Sequence, residues 1–303
     1  VVDVEKSGAA VTGVIVQQRG RSQALYQARV VVDASGDADV AYKAGAPYQL
    51  GRPKDNLVQP ASLMFRVGGW DKEAFTSYVV DHPEKLRLSR RGVDAYKREP
   101  LVAVSGFGEA LQAAIAKGRL GNLKREHVLF FNTNQPDEVI VNMSRVLGVD
   151  PLDPASLSEA EIEGRRQVFQ IMDFLRDEIP GFTHARIEAV GARVGVRESR
   201  RIVGEVVLSG EDVLEGRTWP DTIARSAYPI DIHPPTGVRE TDGAELEDDY
   251  LSQGVTYEIP YRTLVPQEVD RLLAAGRCIS TTVEAHGSTR VSLCMKNYMG
   301  VVE

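Results

Sequence analysis

Val31-Val32-Asp33-Ala34-Ser35-Gly36-Asp37 carries a β-branched apolar run straight into a turn of small and acidic residues. A helix signal follows at once. Asp37 is placed to cap it, Ala38 to Ala44 supplies the turns, and Gly45 with Pro47 stops it. Small side chains at a strand-to-helix junction let backbone amides approach a phosphate or ribose, and a helix N-terminus favours negative charge. An Asp-capped helix needs the same turn with no ligand, so spacing alone leaves both readings open. A second segment of this kind, Leu272-Leu273-Ala274-Ala275-Gly276-Arg277-Cys278-Ile279-Ser280, lies far downstream and is followed by Arg290-Val291. No Gly-x-Gly-x-x-Gly run precedes either one. Gly106-Phe107-Gly108 is the sole Gly-x-Gly, and Leu111 breaks its continuation, so it reads as a loop before a helix.

Outward from these turns the chain alternates strand and helix signals. Val11 to Gln18 is a β-branched run, Arg19 to Ser22 a turn, and Ala24 to Val32 a second strand whose end is apolar enough to be buried. Ser62 to Val67 reads as a strand ended by Gly68-Gly69. Residues 71–125 are mixed and charged, with one helix at Glu109 to Lys117. Glu126 to Phe131 and Glu138 to Met143 form a strand pair around the turn-rich Asn132 to Asp137. The strongest helix runs from Leu157 to about Ile179. Ser156 and Glu159 form a capping box, Ile162, Val168, Ile171, Met172 and Leu175 an apolar stripe, and Pro180-Gly181 the stop. Ala185 to Leu208 is strand-like, Ser209 to Glu215 a short capped helix, and residues 234–254 a solvated loop or lid.

Composition narrows the class. At 303 residues the chain has room for one large domain or two ordinary ones. A net charge of -7 argues against a nucleic-acid partner. No apolar run approaches the roughly 20 residues that span a bilayer. The N-terminus has neither a signal peptide's pattern nor an initiator Met, which predicts a fragment of a longer protein. Cys278 and Cys294 are too few for a disulfide framework and form no CxxC pair; buried thiols in a cytoplasmic protein are expected. His82, His127 and His184 lie in no metal-ligand pattern, and neither a Gly-x-Ser-x-Gly turn nor a Walker loop is present.

Arg197, Arg200 and Arg201 are the densest cationic cluster in this acidic chain. Helical geometry would put all three on one face. A strand, which the surrounding valines favour, would put Arg197 and Arg201 together and turn Arg200 away. Arg197, with Arg201, then suits charge-assisted bonds to an anion; ion pairing with Glu198 or Glu205 is the structural alternative, and the favoured one for Arg200. His286 and His233 are the acid–base candidates by type. His233, before Pro234-Pro235, also reads as a hinge, and Tyr261 either faces a cleft or is a buried tyrosine with its hydroxyl satisfied.

The chain as a whole resembles an FAD-dependent oxidoreductase family with a DATGD turn, a GxRExRR segment and an AGRCIS segment. Here these stand as Asp33-Ala34-Ser35-Gly36-Asp37, Gly195-Val196-Arg197-Glu198-Ser199-Arg200-Arg201 and Ala275-Gly276-Arg277-Cys278-Ile279-Ser280. Ala44 to Tyr48, Tyr228 to His233 and Tyr257 to Pro266 match between them in family order. Ser35 replaces the usual Thr. After Arg290-Val291 the family's Gly-Gln-Ala-Ala-Gly helix gives way to Cys294-Met295-Lys296-Asn297-Tyr298-Met299-Gly300. The resemblance implies a mixed α/β (α+β) fold: the remnant of a Rossmann-like FAD-binding domain, residues 1–50 and 262–303, with a large α+β substrate domain, residues 51–261, inserted in it. It implies FAD as cofactor and a small-molecule substrate, with a homo-oligomer among the expectations. Ser35, Gly36 and Asp37 would lie near the nucleotide half, with Asp37 capping the helix or meeting a ribose hydroxyl or water. Gly276 and Arg277 would border the flavin, and Arg290 would meet flavin or substrate. Arg197, Arg201, His233 and Tyr261 would bind substrate, with Arg197 anchoring its charge and His286 assisting proton transfer. The competing class is a binding or assembly module that holds no flavin.

Overall fold

The β-branched run of β2 (Ala10–Gln17) forms the middle of an antiparallel sheet, flanked by β1 (Asp3–Ser7) and β3 (Gln23–Gln27). The computed structural model describes residues 1–87, 103–237 and 256–291. Its chain divides into two compact units: Val1–Gln59, Arg197–His233 and Thr241–Glu303 form one, and Pro60–Val196 with Pro234–Glu240 the other.

In the first unit the run from Ala24 to Val32 is two strands. β3 follows β2, and the Ala28 amide still donates to Thr12 at 2.9 Å; the Val31 amide instead donates to Arg271 at 2.9 Å, where β4 (Val31–Asp33) begins. The apolar content is continuous but the hydrogen-bond partner changes, and Leu25 and Tyr26 stay about half exposed. α1 (Asp39–Ala44) follows, closed by Gly45 in the left-handed region, and then β5 (Tyr48–Leu50).

The second unit is built on β6 (Phe65–Gly68), α2 (Lys72–Asp81), β7 (Ala103–Gly106), α3 (Gly108–Ala116), β8 (Val128–Asn132), β9 (Glu138–Val141), α4 (Pro154–Glu178) and β10 (Arg186–Val190). Its five strands pair in the order β10-β6-β9-β8-β7, all antiparallel. Period-two alternation buries one face: Phe65, Val67, Val104, Val128, Phe130, Val139 and Val141 share a core with α4 residues Val168, Ile171, Phe174 and Leu175. The strand pair around 132–137 is therefore β8–β9. α2 lies in the stretch that reads as merely mixed and charged; Asp71 caps it, accepting from the Ala74 amide at 2.9 Å.

α4 begins earlier than its apolar pattern does. Asp153 is its cap, accepting from the Ala155 and Ser156 amides at 3.0 and 3.3 Å, and Pro154 stands at the first helical position. Ser156 instead accepts from the Asp150 amide at 2.9 Å. Ile162 lies off the buried stripe, 72% exposed, because Ala160, Gly164, Val168, Ile171 and Leu175 set its phase.

The chain returns to the first unit with β11 (Arg200–Ile202), α5 (Gly210–Leu214), β12 (Thr222–Ser226), β13 (Tyr257–Pro260), β14 (Leu272–Ala274) and α6 (Val283–Thr289). The strand-like stretch Ala185 to Leu208 thus holds two short strands, β10 and β11, joined by irregular chain that contributes only the isolated Ser62–Gly195 bridge. β5 pairs with β11 and β12 with β13, both antiparallel; β4 and β14 are parallel. Ser209 and Asp212 close a capping box on α5. No helix among the described residues is long and apolar enough to cross a membrane. Most of the expected 234–254 loop, and Cys294 with the tail around it, lie outside the described residues.

Candidate functional site

β4 and β14 run parallel in the register Leu272–Val31, Leu273–Val32, Ala274–Asp33, so their carboxyl ends lie side by side. Ligands of parallel α/β sheets bind beyond such ends. The two turns that follow are tied together: the Ala275 amide donates to Asp33 O at 2.9 Å, and the Arg277 guanidinium pairs with the Asp37 carboxylate.

Asp33 is the pin. Fully buried, it accepts from the Ser35 amide at 3.0 Å through Oδ1 and from the Ala41 amide at 2.9 Å through Oδ2. Ser35 Oγ accepts from the Asp39 amide at 2.9 Å. These two side chains satisfy the start of α1. Asp37, expected as the cap, is not: Gly36 and Ala38 are left-handed (φ 82° and 54°), and they swing Asp37 off the helix axis toward Arg277. The φ of 82° at Gly36 favours glycine, and a Cβ there would also push the Arg277 guanidinium, 2.7 Å away, off its place. Gly276 is buried at φ 93°, with open space where a Cβ would point. Cys278 lies beneath, and burial pushes its thiol up to about 12.

Behind the turns is a buried polar network. Arg201, 1% exposed, pairs with Glu198 and donates to Thr281 O at 3.2 Å and Gly51 O at 3.1 Å. The second oxygen of Glu198 accepts from the Gln59 amide at 3.1 Å. Gln59 Oε1 accepts in turn from the His233 amide at 3.1 Å and from Arg290 at 3.4 Å; Arg290 also donates to Asp231 O at 2.8 Å. His233 Nε2 lies 3.6 Å from the Asp231 carboxylate. Burial pulls the Arg201 and Arg290 guanidinium groups down, against the raising influence of Glu198 and Asp231 respectively.

His286 is wholly buried on α6, and its Nε2 lies 3.0 Å from Arg197 O. A carbonyl only accepts, so Nε2 carries the proton and Nδ1 is a bare acceptor. Burial first, then the charges of Arg201, Arg290 and Arg277, hold this imidazole well below its ordinary range, hence neutral. Arg197 precedes β11 and Arg200 and Arg201 lie within it, so the three arginines do not share one regular strand. Arg200 pairs with Asp39 at 2.9 Å, donates to Asp37 O and covers the Tyr42 ring at 4.3 Å. Tyr261 is elsewhere: it borders a hollow of about 630 Å³ with Val30, Val265 and Leu273, at the opposite ends of β4 and β14.

The structure therefore brings Ser35, Gly36, Asp37, Gly276 and Arg277 together at the strand ends, and joins Arg201, His233 and Arg290 through Gln59 and Glu198. Five atoms here are buried without a hydrogen-bond partner among the described residues: Gln59 Nε2, Arg277 Nε, Thr281 Oγ1, His286 Nδ1 and Arg290 Nε. Each costs about 1–3 kcal/mol if nothing meets it. The sequence signals neither Gln59 nor Thr281; both lie outside any motif, and their roles come from partners distant in the chain.

The sequence model of the FAD dependent oxidoreductase family matches residues 1–298. The chain belongs to that family. No curated protein and no solved structure matches it. For an FAD dependent oxidoreductase the unsatisfied set is chemically apt. The unpartnered donors include two guanidinium N–H groups and an amide N–H, and an isoalloxazine offers carbonyl oxygens and the N1 and N5 nitrogens as acceptors, with one N–H at N3 as a donor. These residues could hold such a ring.

Proposed function

We propose that this protein is an oxidoreductase whose first unit holds FAD at the carboxyl ends of β4 and β14 and whose second unit serves a small organic substrate. In this reading the first unit is a Rossmann-like FAD-binding domain and the second is the substrate domain inserted in it. The observation that carries the proposal is the buried, donor-rich network around His286, in a chain whose family works with FAD. Bound flavin supplies the hydride or electron-pair acceptor.

The protein's part is orientation and charge. Arg277, held by Asp37 across the two turns, and Arg290, held by Asp231 and Gln59, place positive charge where an electron-rich ring edge would lie. Arg201 is spent on Glu198, Thr281 and Gly51, so its contribution is to fix the segment that carries Arg197 and Glu198. Arg197 takes the substrate's negative charge. His286, kept neutral by burial and three arginines, enters as an acceptor through Nδ1, its one proton committed to Arg197 O.

Titration of the purified protein with FAD, read by quenching of flavin fluorescence, tests this. Saturable one-to-one binding is expected, and Arg197→Ala should weaken substrate turnover while leaving that binding unchanged. Absence of FAD binding would favour the binding-module reading; loss of FAD with Arg197→Ala would move Arg197 to the cofactor.

A further inference from the structure

We infer that the unsatisfied atoms around His286 form a receptor for a cyclic imide edge, with His286 Nδ1 receiving the imide N–H; this rests on the flavin reading above. The argument begins with the tautomer. Nε2 is committed to the Arg197 carbonyl at 3.0 Å, so the proton is there and Nδ1 presents a lone pair. Each of the other four unpartnered atoms has a proton to give: Arg290 Nε and Arg277 Nε as guanidinium N–H, Gln59 Nε2 as an amide N–H, and Thr281 Oγ1 as a hydroxyl. The orientation of the Gln59 amide follows from its own contacts, because Oε1 is already used by the His233 amide and by Arg290.

A ligand edge that completes this set must offer several acceptors and one donor. A carboxylate or phosphate cannot, since an acceptor-only group would set its lone pairs against that of His286. A hydroxyl group supplies one donor but too few acceptors for the guanidinium and amide protons. The pyrimidine edge of an isoalloxazine, carbonyl–N–H–carbonyl, supplies both in the required proportion. His286 is thereby a binding residue for the flavin's N3 proton, and the surrounding arginines favour the electron-rich carbonyls on either side.

Affinities for FAD and for 3-methyl-FAD, which lacks the N3 proton, test the assignment without reference to turnover. The wild-type protein should bind the methylated cofactor at least about tenfold more weakly, the factor expected for one buried hydrogen bond. His286→Phe should bind the two alike. With ¹⁵N-labelled FAD, the N3 proton of the wild-type complex should exchange with water far more slowly than in free FAD, which separates hydrogen bonding from steric exclusion of the methyl group. If His286→Phe fails to fold, the two wild-type measurements decide. Equal affinities in the wild type, or an N3 proton that exchanges as in free FAD, overturn this inference and leave the flavin reading standing. Binding of neither flavin overturns both.

Discussion

The sheet face of the second unit and the strand ends of the first bury polar groups under opposite rules. In the second unit Phe65, Phe130, Val141, Ile171 and Leu175 belong to one continuous apolar cluster, and the buried Ser144 and Gln167 beside it find partners. Ser144 donates to Leu63 O and accepts from its amide, and Gln167 uses its oxygen on the Arg145 amide and its nitrogen on Glu163. Among its described residues the unpartnered atoms, on Trp70, His127, Asn142 and Gln170, are scattered over separate segments. In the first unit the apolar residues fall into two smaller clusters, and five of the six unpartnered atoms among its described residues, all but Trp219 Nε1, belong to the strand-end turns, the polar network and His286. Satisfied polar groups in an apolar core serve stability; unsatisfied ones gathered in one place hold free energy that a ligand can release.

The contrast can be broken by substitution. Phe130→Ala, fully buried among Trp70, Phe75 and Phe182, should cost about 3–5 kcal/mol in urea denaturation, with or without FAD. Arg201→Met should cost on the order of 3 kcal/mol by leaving Glu198 charged and alone, and the double change Arg201→Met with Glu198→Met should recover most of it. If the double variant is no better than the single one, the pair contributes more than mutual neutralisation.

His286 sharpens the contrast through pH. Its folded-state pKa lies well below the ordinary 6.5, so below that value the unfolded chain binds a proton that the folded chain refuses. This contribution to stability is present above pH 6.5 and is lost as pH falls, by up to about 1.4 kcal/mol per unit. Melts between pH 7 and pH 5 should show a shallower loss for His286→Phe than for the wild type; identical slopes would mean that the imidazole is protonated in the fold. Asp37→Asn should have the smallest effect on stability, under about 1 kcal/mol, because the ion pair with Arg277 is partly exposed at both ends. A larger loss would make Asp37 a structural cap after all.

What could be read from the sequence followed the range of the interactions. β8, β9, α3 and α5 are local, each set by its own periodicity, turn or capping box, and the sequence shows them. The likeness of Asp33–Asp37 and Ala275–Ser280 to one family's turns also singled out the two segments that follow the paired strands β4 and β14. The break between β3 and β4 was not legible, because it depends on Arg271 supplying a hydrogen-bond partner from far along the chain. Asp37 reads as a cap until the left-handed Ala38 is known, and Ile162 reads as core until Ala160 and Gly164 set the helix phase. Gln59 and Thr281 carry no signature, since their positions follow from Glu198, Arg201 and Arg290, each brought close by the fold alone.

Amide hydrogen exchange with and without FAD tests the central claim most directly. The account predicts that FAD slows exchange in residues 33–41 and 274–290, and leaves β6, β8 and β9 unchanged. Protection that falls on the second unit, or nowhere, would contradict it.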